Sequence, residues 1–246
     1  MTSAEPTSRS ACWTRALELT AETSVPFPHT TAADLAKKIR AAVLALLEEK
    51  NAALCDVGSL GAVVPGSIDA SGETVLDAHN LDFHNVPLRK LLQEQFPGIP
   101  VYIANDANGA ALAELYKGAF TGCKTGVLLT LGTGLGGGII LNGKVLMGAH
   151  AAAGEVSGLV SNMAAMETET FEMNKVETFS DAPLWAGAAS ATGLIREYAR
   201  QKKLSLQGPL PTGEEIFAAY NAGEPEAQKA LKIFARRVAV GILSLQ

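Results

Sequence analysis

Seven residues constrain the fold of this chain more than any others: Gly132-Thr133-Gly134-Leu135-Gly136-Gly137-Gly138, of which five are glycine. Glycine gives up more backbone freedom on folding than any other residue, at about 0.5–1 kcal/mol each inside regular structure. A run this dense is kept only where the backbone must turn tightly or approach something closely. Both flanks read as strand. Gly126 to Leu131 precedes the run, and Gly138 to Leu141 and Lys144 to Met147 follow it, joined by Asn142-Gly143, a two-residue hairpin signal. The spacing predicts strand, glycine loop, strand and hairpin.

Gly132, Gly134 and Gly137 also match GxGxxG, with Glu155 as a rough candidate for a ribose-binding acid. A dinucleotide motif must open a helix, and the residues after this one are β-rich. A phosphate-holding turn fits better: successive N–H groups make a concave anion site, and Thr133 adds a hydroxyl donor. A glycine bend with no ligand is the plain alternative.

The second informative run is Asn105-Asp106-Ala107-Asn108. Val101 to Ala104 predicts a buried strand, and Asp106 to Phe120 an alanine-rich helix whose small residues permit close approach to a neighbour. Asp106 therefore stands where strand becomes helix, and the helix dipole favours its anion. An ionised carboxylate there can accept the proton of an attacking hydroxyl. A plain N-cap aspartate occupies the same position, and position alone leaves both readings open.

The rest of the chain reads as α/β. Residues 1 to 12 look irregular, and Trp13 to Thr23 has a weak strand pattern. Val25-Pro26-Phe27-Pro28 is an extended connector. Thr31 caps a helix with Asp34 at its third position, and Leu35, Ile39, Val43 and Leu46 mark the buried face. Val57 to Val64 predicts a strand ending at Pro65-Gly66, its Gly58 and Gly61 suggesting close packing or a ligand-facing backbone. Thr74 to Asp77 is a short strand. Asn85 and Pro87 start a helix with Leu88, Leu91, Leu92 and Phe96 inward, and Pro97-Gly98 ends it. Residues 151 to 181 carry no readable pattern. Trp185 to Lys202, Thr212 to Asn221 and Pro225 to Gln246 read as helices, and Trp185 as core. The last helix carries Ala227, Leu231, Phe234, Val238, Ile242 and Leu245 on one stripe, with no capping residue after it, so the sequence reads as a truncated one.

Composition narrows the function. The chain has 246 residues, 48% of them hydrophobic, which suffices for a substantial core. No apolar run reaches the roughly 20 residues that span a bilayer, and the N-terminus lacks a signal-peptide core. Cytoplasm is the expected location. Cys12, Cys55 and Cys123 are isolated, and His29, His79, His84 and His150 lack second ligands at metal spacing, so no metal site or zinc is expected. A net charge of −5 with no Lys/Arg stripe argues against a nucleic-acid groove.

Four stretches in order resemble the ROK family of sugar kinases and sugar-responsive repressors. They are Val63-Val64-Pro65-Gly66-Ser67-Ile68-Asp69; Asn80-Leu81-Asp82-Phe83-His84-Asn85-Val86-Pro87-Leu88; Asn105-Asp106-Ala107-Asn108 with Ala110-Ala111-Leu112-Ala113-Glu114; and the run from Leu129 through the glycine loop to Asn142-Gly143. The resemblance implies an actin-like (ribonuclease H-like) α/β fold of two lobes, with mixed sheets flanked by helices, incomplete at both ends. The lobes would be 25–104 and 105–246, after a divergent segment 1–24. It implies ATP and Mg2+ as cofactors, a hexose or amino-sugar substrate, and a homodimer as a permitted assembly. Carried over by position, Asp106 is the base that takes the sugar hydroxyl proton. Asn80, Asn105 and Glu155 bind sugar hydroxyls, with Asp106 beside them. Gly132, Thr133 and Gly134 hold the ATP phosphates.

The departures from the family are specific. Nothing in residues 1–23 resembles the family's Asp-Ile-Gly-Gly-Thr-like phosphate loop. Gly158 stands where a sugar- or zinc-binding histidine belongs, and the cysteine-rich zinc loop is absent. Ala186 aligns with a family glutamate, and the Gly-Gly adenosine segment would lie beyond Gln246. Two readings follow: a ROK-type, glucokinase-like hexose kinase using Asp106 as base, or a catalytically weak or inactive sugar- or nucleotide-binding remnant. A repressor's effector domain is a third, and residues 1 to 30 show no helix-turn-helix pattern.

Overall fold

The computed structural model describes residues 7–14, 18–26, 31–78, 81–161 and 184–245. The first of these form a hairpin. β1 (Thr7–Trp13) pairs antiparallel with β2 (Leu19–Pro26), from Thr7↔Pro26 to Trp13↔Leu19. This corrects the irregular reading of residues 1–12 for their described part. Thr7-Ser8-Arg9-Ser10 has no apolar alternation of its own, and its strand conformation comes from the partner across the ladder.

α1 (Ala32–Glu49) begins as expected, with Thr31 Oγ1 accepting from the Asp34 N–H at 3.2 Å. Leu35, Ala36, Val43, Leu46 and Leu47 form its buried face. A 3-10 turn at Leu54–Asp56 follows, so β3 (Leu60–Val64) starts later than the expected Val57. Among the described residues, nothing beyond the adjacent chain lies within 4 Å of where a side chain would start at Gly58 or Gly61, so close packing there does not account for either glycine.

β4 (Ser67–Ile68), β5 (Val75–Ala78) and β6 (Phe83–Val86) make an antiparallel sheet in that order. Pro87 caps α2 (Leu88–Gln95) one position before the expected N1, and Asn85 belongs to β6. Leu88, Leu92 and Phe96 are buried. β7 (Val101–Asn105) pairs parallel with β3, Leu60 against Val101 through Val64 against Asn105. α3 (Asp106–Lys117) then lies against both strands, with Gly109 on Val63. The core beneath includes Val64, Ile68, Val75, Phe83, Leu92 and Val101.

β8 (Thr125–Leu131), β9 (Leu135–Leu141) and β10 (Lys144–Val145) form a sheet in the order β10-β9-β8. Asn142 and Gly143 have φ of 53° and 72°, the doubly positive turn that the dipeptide predicts. The remaining described elements are a 3-10 turn at Val156–Gly158, α4 (Trp185–Ala189), α5 (Ala191–Lys202), α6 (Gly213–Asn221) and α7 (Pro225–Leu243). The expected single helix from Trp185 to Lys202 is broken at Ser190. Its backbone is extended (ψ 169°), and its hydroxyl caps α5 by accepting from Gly193 N–H at 3.2 Å. Serine competes with the helix for such donors and so favours the cap.

Packing divides the chain into two compact units, Met1–Gly126 with Ile139–Ala153, and Val127–Gly138 with Gly154–Gln246. The first contains α3 and β10, which the resemblance counts with the second lobe. In the second unit, Leu194, Tyr198, Ile216, Ala227 and Ala230 form a core. Trp185 is fully buried, as expected of a core residue, and its indole N–H donates to the Arg237 carbonyl at 2.8 Å. The stripe on α7 is inward at Ala227, but Ile242 is exposed.

Candidate functional site

The first unit holds Asn105 and Asp106 at the start of α3. Asn105, not Asp106, is the cap. Its backbone is extended (φ −62°, ψ 147°), and its Oδ1 accepts from the N–H groups of Ala107 at 2.9 Å and Asn108 at 3.1 Å. Asp106 is the first helical residue and is exposed. Its Oδ1 accepts from Ala107 N–H at 2.9 Å, and no bond among the described residues occupies its Oδ2. The plain N-cap reading of Asp106 therefore fails, and half of its carboxylate is available.

A second bond fixes the junction. Asn105 Nδ2 donates to the Gly66 carbonyl at 2.9 Å, tying the start of α3 to the turn after β3. Gly66 has φ +94°, and a Cβ there would stand 2.1 Å from the Asp77 carbonyl oxygen and 2.8 Å from Ala78 Cα. The turn thus presses against the end of β5. Asn80 lies two positions further on, outside the described residues, as does His79. With these bonds made, Asn105 keeps one amide hydrogen for a ligand. Below it, Asn108 is buried with its Oδ1 unpartnered among the described residues, while its Nδ2 rests 3.9 Å from Met147 Sδ. His84 pairs with Asp77 at 2.8 Å.

The second unit holds Gly132, Thr133, Gly134 and Glu155. The three loop residues are exposed, and their carbonyls are all taken within the unit. Ala191 N–H donates to Gly132 O at 2.8 Å, the Thr192 hydroxyl to Thr133 O at 2.7 Å, and Gly132 N–H to Gly134 O at 3.0 Å. In a trans peptide the C=O of one residue and the N–H of the next point in opposite directions. Carbonyls of Gly132 and Thr133 that face α5 therefore aim the N–H groups of Thr133 and Gly134 away from it. Among the described residues nothing accepts from those two N–H groups or from the Thr133 hydroxyl. An exposed turn whose three carbonyls are bonded, and two of whose N–H groups have no acceptor among the described residues, suits an anion.

Glu155 precedes the Val156–Gly158 turn and is exposed. Gly137 of β9 packs on this segment so closely that a Cβ would fall 2.7 Å from Gly154 O and 2.5 Å from Val156 Cγ2. The second unit thus brings Glu155 beside the strand that leaves the glycine loop, as the first brings Asp106 beside Asn105. Sequence reasoning missed Thr192, which acts only through a fold contact, the local cap at Ser190, and the tether on Gly66, of which Pro65-Gly66 gave only the turn. Among the described residues no group of three or more His, Cys, Asp or Glu side chains could hold a metal ion, and no helix is long and apolar enough to cross a membrane.

Comparison with known proteins supplies the family. The model of the ROK family matches residues 9–246. A glucokinase from Halalkalibacterium halodurans is 43% identical over 101 residues, which is 41% of this chain and 30% of that one. A xylose repressor from Caldicellulosiruptor bescii is 30% identical over 187 residues, 76% of this chain and 46% of the other. The crystal structure of a ROK hexokinase from Thermus thermophilus superposes with a TM-score of 0.73 at 27% identity, covering 93% of this chain and 70% of that one. The fold is the actin-like α/β fold that the resemblance implies. The chain spans 30% and 46% of the lengths of these two curated relatives.

Proposed function

The chain belongs to the ROK family, and from that premise we propose that it is a cytoplasmic ATP-dependent hexose kinase of the glucokinase type. The observation that carries this reading is the division of labour at the two strand ends. An exposed carboxylate relieved of capping stands at α3, and a glycine turn with its carbonyls bonded presents the Thr133 and Gly134 N–H groups at β8–β9. The first suits a base, and the second suits phosphate.

In this mechanism Asp106 Oδ2 accepts the proton of a sugar hydroxyl, and the freed oxygen attacks the γ-phosphorus as ADP leaves. Phosphoryl transfer of this kind depends mostly on positioning and charge stabilisation. Thr133 and Gly134 N–H groups and the Thr133 hydroxyl hold phosphate oxygens beside Gly132. Magnesium, arriving with the nucleotide, neutralises charge on the phosphates when bound. Asn80, Asn105 and Glu155 orient the sugar through its other hydroxyls, Asn105 with its remaining amide hydrogen.

Gly158 and Ala186 favour a second reading. They stand where the family pattern has a histidine and a glutamate, which fits a weak or inactive sugar- or nucleotide-binding protein. Each lost sugar bond costs about 1–3 kcal/mol if a buried partner is left unpaired. A coupled ADP-release assay with glucose, N-acetylmannosamine and fructose separates the readings. The kinase reading expects sugar-dependent turnover that drops by about 10²–10⁴ in Asp106→Asn. Turnover that survives the substitution removes Asp106 as base, and calorimetric sugar binding without turnover favours the second reading.

A further inference from the structure

The glycine loop is anchored at two points by α5, and the two are not equivalent. The Ala191 N–H that holds Gly132 O belongs to the backbone, and almost any residue at that position supplies it. The bond to Thr133 O comes from a side chain, the Thr192 hydroxyl at 2.7 Å, and only a hydroxyl placed there supplies it. The peptide it holds is the one between Thr133 and Gly134. Glycine on the far side of a peptide removes most of the steric cost of rotating that peptide. This peptide therefore has a low steric barrier to turning over, and it carries the Gly134 N–H.

The other bonds of the α5 start leave the threonine free for this task. Ser190 Oγ accepts from Gly193 N–H at 3.2 Å, and Ser190 O from Leu194 N–H at 3.0 Å, so the first turn of α5 is capped without Thr192. Gly193 cannot take a side chain there, since a Cβ would lie 2.7 Å from Gly187 O and 2.9 Å from Ala188 O. α5 is thus locked onto α4, and Thr192 sits on a fixed mount.

We infer that Thr192 is a positioning residue for phosphate binding: its hydroxyl holds the Thr133–Gly134 peptide in the orientation that presents the Gly134 N–H to a nucleotide phosphate. The inference rests on the phosphate reading of the glycine loop. Thr192 touches no ligand itself. Without its hydroxyl the peptide samples both orientations, and the flipped one offers a carbonyl oxygen to the phosphate in place of a donor.

The test uses the full chain with Mg-ATP as probe, measured by calorimetry, together with amide hydrogen exchange in the absence of ligand. Thr192→Val, near-isosteric but without the hydroxyl, is expected to weaken ATP binding roughly fivefold to tenfold. It should speed exchange at Thr133 and Gly134 and leave the melting temperature and sugar affinity unchanged. Thr192→Ser should restore ATP affinity and slow exchange. Equal ATP affinity in wild type and Thr192→Val, or failure of valine and serine alike, overturns the assignment to the hydroxyl. Wild-type protein that takes no Mg-ATP overturns the phosphate reading and the role of Thr192 with it, which sets that failure apart from the first.

Discussion

At the scale of the residue, the geometry around Asp106 depends on Gly66. Its carbonyl receives the Asn105 amide, and its missing side chain lets the turn press on β5, 2.1 Å short of the Asp77 oxygen at the Cβ position. Gly66→Ala meets both a positive φ and backbone that cannot yield, so a loss of about 2–4 kcal/mol in stability is expected, read from the denaturant midpoint. Turnover should fall more than this predicts, because the Asn105 tether moves with the turn. Pro65-Gly66 was legible as the end of a strand, but the pressure on Asp77 was not, since no local pattern records a contact made by an absent side chain. The same limit explains Asn105. Asparagine and aspartate cap helices about equally well, and only the extended backbone of Asn105 decides that it, not Asp106, is the cap. Thr192 was out of reach because its partner stands 59 positions away.

Elements were most legible where their own periodicity carried them. The stripe of α1, the inward leucines of α2 and the Asn142-Gly143 turn came out as expected, because each is fixed within a few residues. β1 was not legible because it depends on β2 across the ladder, and the break at Ser190 was not, because its cap on Gly193 is a local bond inside an otherwise helical run. The packing of α4, α5 and α7 yields two predictions. Gly241 of α7 lies against Trp185 so tightly that a Cβ would fall 1.9 Å from Cε2. Gly241→Ala should destabilise by about 1–3 kcal/mol despite its better helix propensity, as a lowered melting temperature. Glu197 of α5 is fully buried and bonds Arg200 at 2.6 Å and Gln201 at 2.5 Å on its own helix, and Arg237 of α7 at 3.0 Å. Burial pushes its carboxyl up, but the Arg200 and Gln201 bonds and the Arg237 charge outweigh this and hold it below the ordinary value of 4.5. A folded value below the unfolded one means that the stabilisation is complete above pH 4.5 and is lost as pH falls through the folded value. Glu197→Gln should cost about 1–3 kcal/mol at neutral pH and flatten this acid limb of the stability profile. An unchanged limb would assign acid sensitivity to other carboxylates.

For the molecule as a whole, motif order carried more information than composition. Four stretches were enough to reach the ROK family and its α/β fold, because each ties residue type to backbone conformation, as Asn142-Gly143 does with its doubly positive φ. What they could not decide is how much of the chemistry survives Gly158 and Ala186. Binding and turnover have to be measured separately for that, since a ligand stabilises the folded state by mass action whether or not it reacts. At a concentration of a hundred times its Kd, Mg-ATP or a hexose should add about 2.7 kcal/mol, visible as a rise in melting temperature with each ligand alone. In Asp106→Asn the rise with Mg-ATP should persist in full while ADP release falls by about 10²–10⁴, because the substitution removes a proton acceptor and leaves the residues of the glycine loop unchanged. A rise in the wild type with no ADP release under the same conditions would favour the binding reading over the kinase reading. No rise with either ligand would remove both the kinase and the binding-remnant readings.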